Sequence, residues 1–280
     1  MKTRSLTVAL GLALIASACS STTNQPDLPE NVLKVAAVDY GFQITGEPVS
    51  GLTTVEFSNE GEELHHGIIG KIGDGKTKAD VMDFLENGGD GPPPEWYDES
   101  PIDIGVVDPG RTQTVQIDLA EAGTYVFLCF MPTKGGGPPH AFKGMVETFE
   151  IAEGPSEDGP LVTDTMVELT EYEVKMDEEI PSGRVSLEVR NAGTEPHDLV
   201  VVQIDEGVTG AEIDQYFEGG LQGESPIRFF AGTHEFEPGR TVRLEFDLEP
   251  GTYQFLCSVE TDDGKKHADD LGMQTEVTVA

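Results

Sequence analysis

At 280 residues the chain is long enough for two domains of ordinary size, each with its own core, and its 37% apolar and 25% charged residues are the make-up of globular domains. A formal net charge of −35 repels nucleic acid and anionic lipid headgroups and excludes both as partners recognised by charge. The 33 glycines and 18 prolines mark many turns, hence an all-β architecture of short strands.

The chain opens with Lys2 and Arg4 ahead of an apolar run over residues 6–16, too short to span a bilayer as a helix and shaped like a secretory signal. The small residues Ala16, Ser17 and Ala18 then lead to Cys19. This resembles the lipobox of bacterial lipoproteins, with Ala16 where that family more often has Leu. The resemblance implies a signal peptide over residues 1–18, lipidation of Cys19, and a polar tether over residues 19–31. An exported body would then be anchored to the cell membrane or outer membrane. An ordinary cleavable signal is the other reading of the same residues. Beyond it, residues 20–152 carry 22 acids and 7 bases and residues 153–280 carry 30 and 8. Such a surface either steers the chain toward a basic partner or suits a saline medium, and charge alone leaves both open.

The first strand is expected within residues 32–45, and the second over residues 51–58, where Thr53, Val55 and Phe57 alternate with polar residues. A turn at Asn59-Glu60-Gly61 precedes a strand beginning His65-His66. Thr77 and Asp80 have the spacing of a capping box, and Val81, Phe84 and Leu85 continue at helical spacing, so one short helix is predicted there. Val115, Ile117 and Leu119 alternate again, as do Tyr125, Phe127 and Cys129, before a Gly/Pro loop that returns His140 and Met145.

Residues 153–163 have the Gly, Pro and acidic content of a linker, and after them the pattern recurs. Val185, Leu187 and Val189 match Thr53, Val55 and Phe57; Asn191-Ala192-Gly193 matches Asn59-Glu60-Gly61; His197 matches His65. Helix positions Thr209, Ala211, Ile213, Tyr216 and Phe217 follow at the same offset, and Cys257 stands for Cys129. The sequence predicts a tandem duplication, with one domain over residues 32–152 and a second over 164–280, each an all-β sandwich with one short helix inserted.

His65, Cys129, His140 and Met145 recur in order as His197, Cys257, His267 and Met273. Two imidazoles and a thiolate with a weak axial thioether form the donor set of a blue-copper electron-transfer centre. Over both repeats the chain resembles the cupredoxins, the family of plastocyanin and azurin. The resemblance implies Greek-key β-sandwiches and a type 1 copper (Cu+/Cu2+) held by His65, Cys129, His140 and Met145, and by His197, Cys257, His267 and Met273. Here ten and nine residues separate Cys from His, a longer loop than the family's usual two to four. His66 falls opposite Asp198 in the repeat and faces away from His65, because strand neighbours point to opposite sides. His234 has no counterpart and is expected on the surface, while Met131, Met166 and Met176 are expected in core packing.

These readings lead to a membrane-anchored copper protein that carries electrons, with copper delivery or storage, or a metal-free interaction module, as the alternative. The redox partner is expected to be basic and cytochrome-like. With six histidines, four of them assigned, no catalytic copper cluster can be built, so the chain is expected not to be an enzyme. In cupredoxins the electron is generally thought to leave through an exposed edge of the C-terminal His. By that rule Pro138, Pro139 and Phe142 would give His140 an apolar rim, and Lys265, Lys266, Asp269 and Asp270 would give His267 a charged one.

Overall fold

The computed structural model describes residues 31–88, 92–100, 102–154 and 159–280. The expected signal, Cys19 and nearly all of the tether lie outside the described residues, as do residues 155–158 of the expected linker. Among the described residues no helix is long and apolar enough to cross a membrane.

Period-two alternation builds both halves. The strand Gly51–Asn59 buries Thr53, Val55, Phe57 and Asn59 and leaves the residues between them half-exposed. Its counterpart Gly183–Asn191 buries Val185, Leu187, Val189 and Asn191. In the first half, Gly51–Asn59 lies between Val32–Val38, to which it runs parallel, and Thr112–Leu119, to which it runs antiparallel; Gly41–Thr45 closes the edge. The facing sheet holds Tyr97–Glu99, His65–Ile72, Gly123–Leu128 and Val146–Ile151, with Ile104–Val107 paired to the His65–Ile72 strand. The two sheets meet over one core in which the Phe42 and Phe127 rings lie 5.6 Å apart.

The second half repeats this plan. Thr165–Thr170, Glu173–Lys175, Gly183–Asn191 and Thr241–Leu248 face Glu179–Ile180, Gln274–Val279, Gly251–Leu256, Val200–Ile204 and Ile227–Gly232. A helix follows the corresponding strand in each half, Lys78–Gly88 and Gly210–Glu218. Thr209 and Glu212 form a reciprocal capping box, and Thr77 donates through its backbone N–H and hydroxyl to the Asp80 carboxylate at 3.0 and 2.8 Å.

The halves join edge to edge. Thr241–Leu248 pairs antiparallel with Thr112–Leu119, Phe246 opposite Gln113 and Arg243 opposite Gln116, so that one eight-stranded sheet runs through the whole body. The edges of Thr112–Leu119 and Thr241–Leu248, which would otherwise present unpaired backbone groups, thereby cover each other. A second contact brings Ile104–Val107 against Ile227–Gly232, where a Cβ on Gly105 would sit 2.5 Å from the Gly232 carbonyl carbon. Gln113, fully buried, bridges this crossing: its amide donates to the Gly105 carbonyl at 3.0 Å and its oxygen accepts the Gly232 N–H at 2.9 Å. The joined sheet and the tight crossing hold the two sites in one body.

Candidate metal centres

Cys129 continues the strand Gly123–Leu128. Tyr125, Phe127 and Cys129 face the main core, and Val126 and Leu128 face a smaller cluster under the helix Lys78–Gly88. The loop that follows is stapled to the strand it left. The Cys129 carbonyl accepts the Ala141 N–H at 2.6 Å, the His140 N–H donates to the Met131 carbonyl at 3.0 Å, and the Cys129 N–H donates to the Met145 carbonyl at 3.3 Å. The second half does the same, with His267 N–H on the Val259 carbonyl at 2.9 Å and Cys257 N–H on the Met273 carbonyl at 3.1 Å. A ten-residue excursion therefore costs nothing in position, because backbone bonds return the His and the Met beside the Cys.

Three donors converge in each half. Cys129 Sγ lies 3.7 Å from His65 Nδ1 and 3.6 Å from His140 Nδ1, and the two nitrogens are 3.2 Å apart. The second triangle has the same form: Cys257 Sγ to His197 Nδ1 3.7 Å, to His267 Nδ1 3.4 Å, and 3.2 Å between the nitrogens. All six residues are buried. Met145 and Met273 are fully buried alongside. The centre of either triangle lies about 2 Å from all three atoms, the length of a bond from imidazole nitrogen or thiolate to a first-row metal, roughly 2.0–2.3 Å.

Electrostatics favour a cation at that centre. His65 Nε2 stands 2.9 Å from Asp39 Oδ1 and His140 Nε2 3.1 Å from Glu63 Oε2. Carboxylates accept only, so the ring protons belong on Nε2 and both Nδ1 lone pairs turn toward Sγ, whose one S–H can satisfy one of them. Burial pushes the Cys129 thiol up to about 12 and raises the Cys257 thiol as well. Burial likewise lowers the His65, His140 and His197 imidazoles, against the pull of the nearby carboxylates. Facing lone pairs and a thiol held neutral are unfavourable together, and a bound cation relieves both by drawing the nitrogens in and converting the thiol to thiolate. The residues fit a soft divalent or monovalent metal of the copper type.

His66 points away from the site, as its position predicts, and its Nε2 accepts the Phe130 N–H at 2.7 Å. Asp198 does the same for Ser258, at 2.6 Å. The residue after each Cys is thus anchored by the residue after each first His. Three expectations are corrected. His140 and His267 are 0% and 1% exposed, so neither presents an edge to solvent. The Tyr40 ring packs edge-on to His140 at 5.0 Å and the Tyr172 ring to His267 at 5.2 Å, with Glu63 and Glu195 behind them. His234 is not a free surface residue but half-buried against His66, rings 6.0 Å apart, where the halves meet. Met166 is 59% exposed rather than packed in a core, because it falls on the outer face of its strand.

Sequence reasoning passed over Asn59 and Asn191 as turn residues. The Asn59 amide donates to the Glu63 and Val107 carbonyls at 2.8 and 2.9 Å, and its oxygen accepts the Gly61 N–H at 3.0 Å; Asn191 repeats the pattern with Glu195, Phe236 and Gly193. These bonds fix the turn that carries Glu63 and leads into His65. Asp39, Tyr40 and Glu63 were also missed, although Glu171, Tyr172 and Glu195 recur at the offset that exposed the duplication.

Each half is a cupredoxin-like β-sandwich. No protein-family model and no curated protein sequence matches the chain. Among solved structures, a reduced auracyanin from the photosynthetic bacterium Roseiflexus castenholzii is similar over 42% of this chain and 99% of its own, at 23% identity and TM-score 0.32. A multicopper oxidase is similar over 89% of this chain and 88% of its own, at 15% identity and TM-score 0.26. A copper-containing nitrite reductase from Thermus scotoductus is similar over 89% of this chain and 61% of its own, at 13% identity and TM-score 0.27. The matches that span both cupredoxin-like halves thus include proteins named as enzymes, and the expectation that this chain is not an enzyme is corrected on that ground.

Proposed function

We propose that the chain is an exported, membrane-tethered copper protein that transfers electrons, with His65, Cys129, His140 and Met145 holding one copper and His197, Cys257, His267 and Met273 a second. The observation that carries this reading is the pair of buried His/Cys/His triangles, each sized for one ion. Bound copper supplies reversible one-electron chemistry between Cu(I) and Cu(II). The chain's own residues do the rest. Imidazole and thiolate satisfy both oxidation states, the thioether adds a weak donor, and burial keeps water from the metal. Donors at one end of a packed sheet, and on a loop bonded back to that end, move little when the charge changes, so little reorganisation opposes the transfer.

The tether and export rest on residues 15–19 and on the lipoprotein resemblance. The acidic surface supports a basic, cytochrome-like redox partner that docks by charge. Titration of the metal-free protein with copper, followed by visible absorption and electron paramagnetic resonance, tests the reading. Two equivalents should bind, with an intense thiolate-to-copper band that ascorbate bleaches and air or ferricyanide restores. Copper that binds without that band, or a band that cannot be reversed, would sink it.

A further inference from the structure

The two centres share their donors and differ in what stands behind them. In the first, both ligand imidazoles give their outer N–H to a carboxylate, His65 to Asp39 at 2.9 Å and His140 to Glu63 at 3.1 Å. Each carboxylate is itself held in place. Asp39 accepts the Glu62 N–H at 3.0 Å and the Glu63 N–H at 3.3 Å. Glu63 accepts the Tyr40 hydroxyl at 2.5 Å and the Lys134 N–H at 2.6 Å. Although burial alone would raise both carboxyls, these bonds and the imidazoles hold them below the usual carboxylate range.

In the second centre the same outer nitrogens, His197 Nε2 and His267 Nε2, are buried without a hydrogen-bond partner. Glu195 comes no nearer to His267 Nε2 than 3.7 Å and accepts from the Tyr172 hydroxyl at 3.3 Å. Glu171, at the position of Asp39, is one methylene longer and takes the Thr194 N–H instead of the imidazole. One substitution and one small displacement thus leave the second pair of rings uncapped.

We infer that Asp39 and Glu63 are positioning residues that set the first centre to a lower reduction potential than the second; the inference rests on the copper reading above. A ligand imidazole whose N–H is bonded to an anion is a stronger base and pushes more electron density to the metal. An anion within hydrogen-bond reach, in an interior of low dielectric, also favours the more positive oxidation state. Both effects stabilise Cu(II); the first acts at the first centre alone, and the second is weaker at the second centre, where Glu195 stands 3.7 Å from His267 Nε2 on a side chain 45% exposed to solvent. The greater acidity of the second half opposes them, yet those charges are mostly on the surface and are screened over about 8–10 Å at physiological salt. Contact anions outweigh distant ones. The result is an ordered pair in which the first centre is the stronger reductant.

The test uses the full chain in two single-site forms, Cys257→Ser to leave the first centre and Cys129→Ser to leave the second, each titrated by spectroelectrochemistry. The first centre is expected at the lower potential. Glu63→Gln, which keeps the side chain's shape and removes its charge, should weaken the preference of the first centre for Cu(II) by tenfold or more. A tenfold change is about 59 mV for one electron. The second centre should not move. Asp39→Asn should act in the same direction and covers the case in which Glu63→Gln does not fold. The metal-free protein gives an independent readout, since nitrogen-resolved NMR should find slowly exchanging Nε2–H protons on His65 and His140 and none such on His197 and His267. Equal or reversed potentials, an unmoved first centre in both variants, or the same Nε2–H signals on all four rings would each overturn the inference. If neither centre binds copper reversibly, the functional reading falls and takes this one with it; two reversible centres in the opposite order overturn this one alone.

Discussion

The crossing of Gly105 and Gly232 allows the docking of the two halves to be tested by one methyl group. A Cβ on Gly105 would lie 2.5 Å from the Gly232 carbonyl carbon, 2.8 Å from its oxygen and 2.8 Å from the Thr233 nitrogen, all of them backbone. Contact between carbon atoms is comfortable at about 3.5–4.0 Å, so Gly105→Ala must part the strands by roughly 1 Å. That movement strains the two bonds through which Gln113 bridges the crossing, at 3.0 and 2.9 Å. Buried bonds of this kind contribute about 1 kcal/mol each, and overpacking of a close contact costs about 1–3 kcal/mol. A loss of about 2–4 kcal/mol follows, or roughly 5–15 °C in melting temperature for a body of this size. Calorimetry of the metal-free protein measures it, with Gly159→Ala as control, because a Cβ there meets nothing within 4 Å. A Gly105→Ala protein that melts within a degree of the control would refute the close approach and with it the fixed relation of the two sites.

Cys129→Ser and Cys257→Ser should each remove one thiolate-to-copper band and leave the other, and the double variant should be colourless with an unchanged far-ultraviolet circular dichroism spectrum. Loss of both bands in either single variant would speak against independent centres. Asn59→Ala strands the Glu63 and Val107 carbonyls and the Gly61 N–H; urea denaturation should show a loss of about 1–3 kcal/mol, and an unchanged midpoint would deny the turn its bracing role. Saturating copper at about a thousand times the dissociation constant should stabilise the folded body by about 4 kcal/mol per site, about 8 kcal/mol for both, read as a rise in melting temperature that Cys129→Ser and Cys257→Ser together abolish. Cys19→Ala should move the protein from the membrane fraction to the soluble one, and retention after signal cleavage would remove the anchor from the proposal.

Much of this protein is fixed by short-range pattern. Alternation at Val55 and Phe57, at their counterparts Leu187 and Val189, and at Tyr125, Phe127 and Cys129 assigns the buried face, since a strand's side chains reverse every residue whatever lies beyond it. The duplication placed His65, Cys129 and His140 on the same elements as His197, Cys257 and His267, and the converging donors were legible for that reason. Side-chain direction along one strand also settled which of His65 and His66 enters the site.

Tertiary structure decided what depends on distant pieces of chain meeting. That the halves fuse into one sheet through Thr112–Leu119 and Thr241–Leu248 is a matter of which edges find each other, and alternation is identical in a free edge and a paired one. The burial of His140 and His267 was not readable from their local flanks, because Tyr40 and Tyr172, from far earlier in the chain, cover them. The same holds for the outer partners of the imidazoles. Glu63 and Glu195 occupy equivalent positions, yet one reaches its ring at 3.1 Å and the other stops at 3.7 Å. A few tenths of an ångström make a hydrogen bond or leave a nitrogen bare, and packing sets that distance, not the identity of the residue.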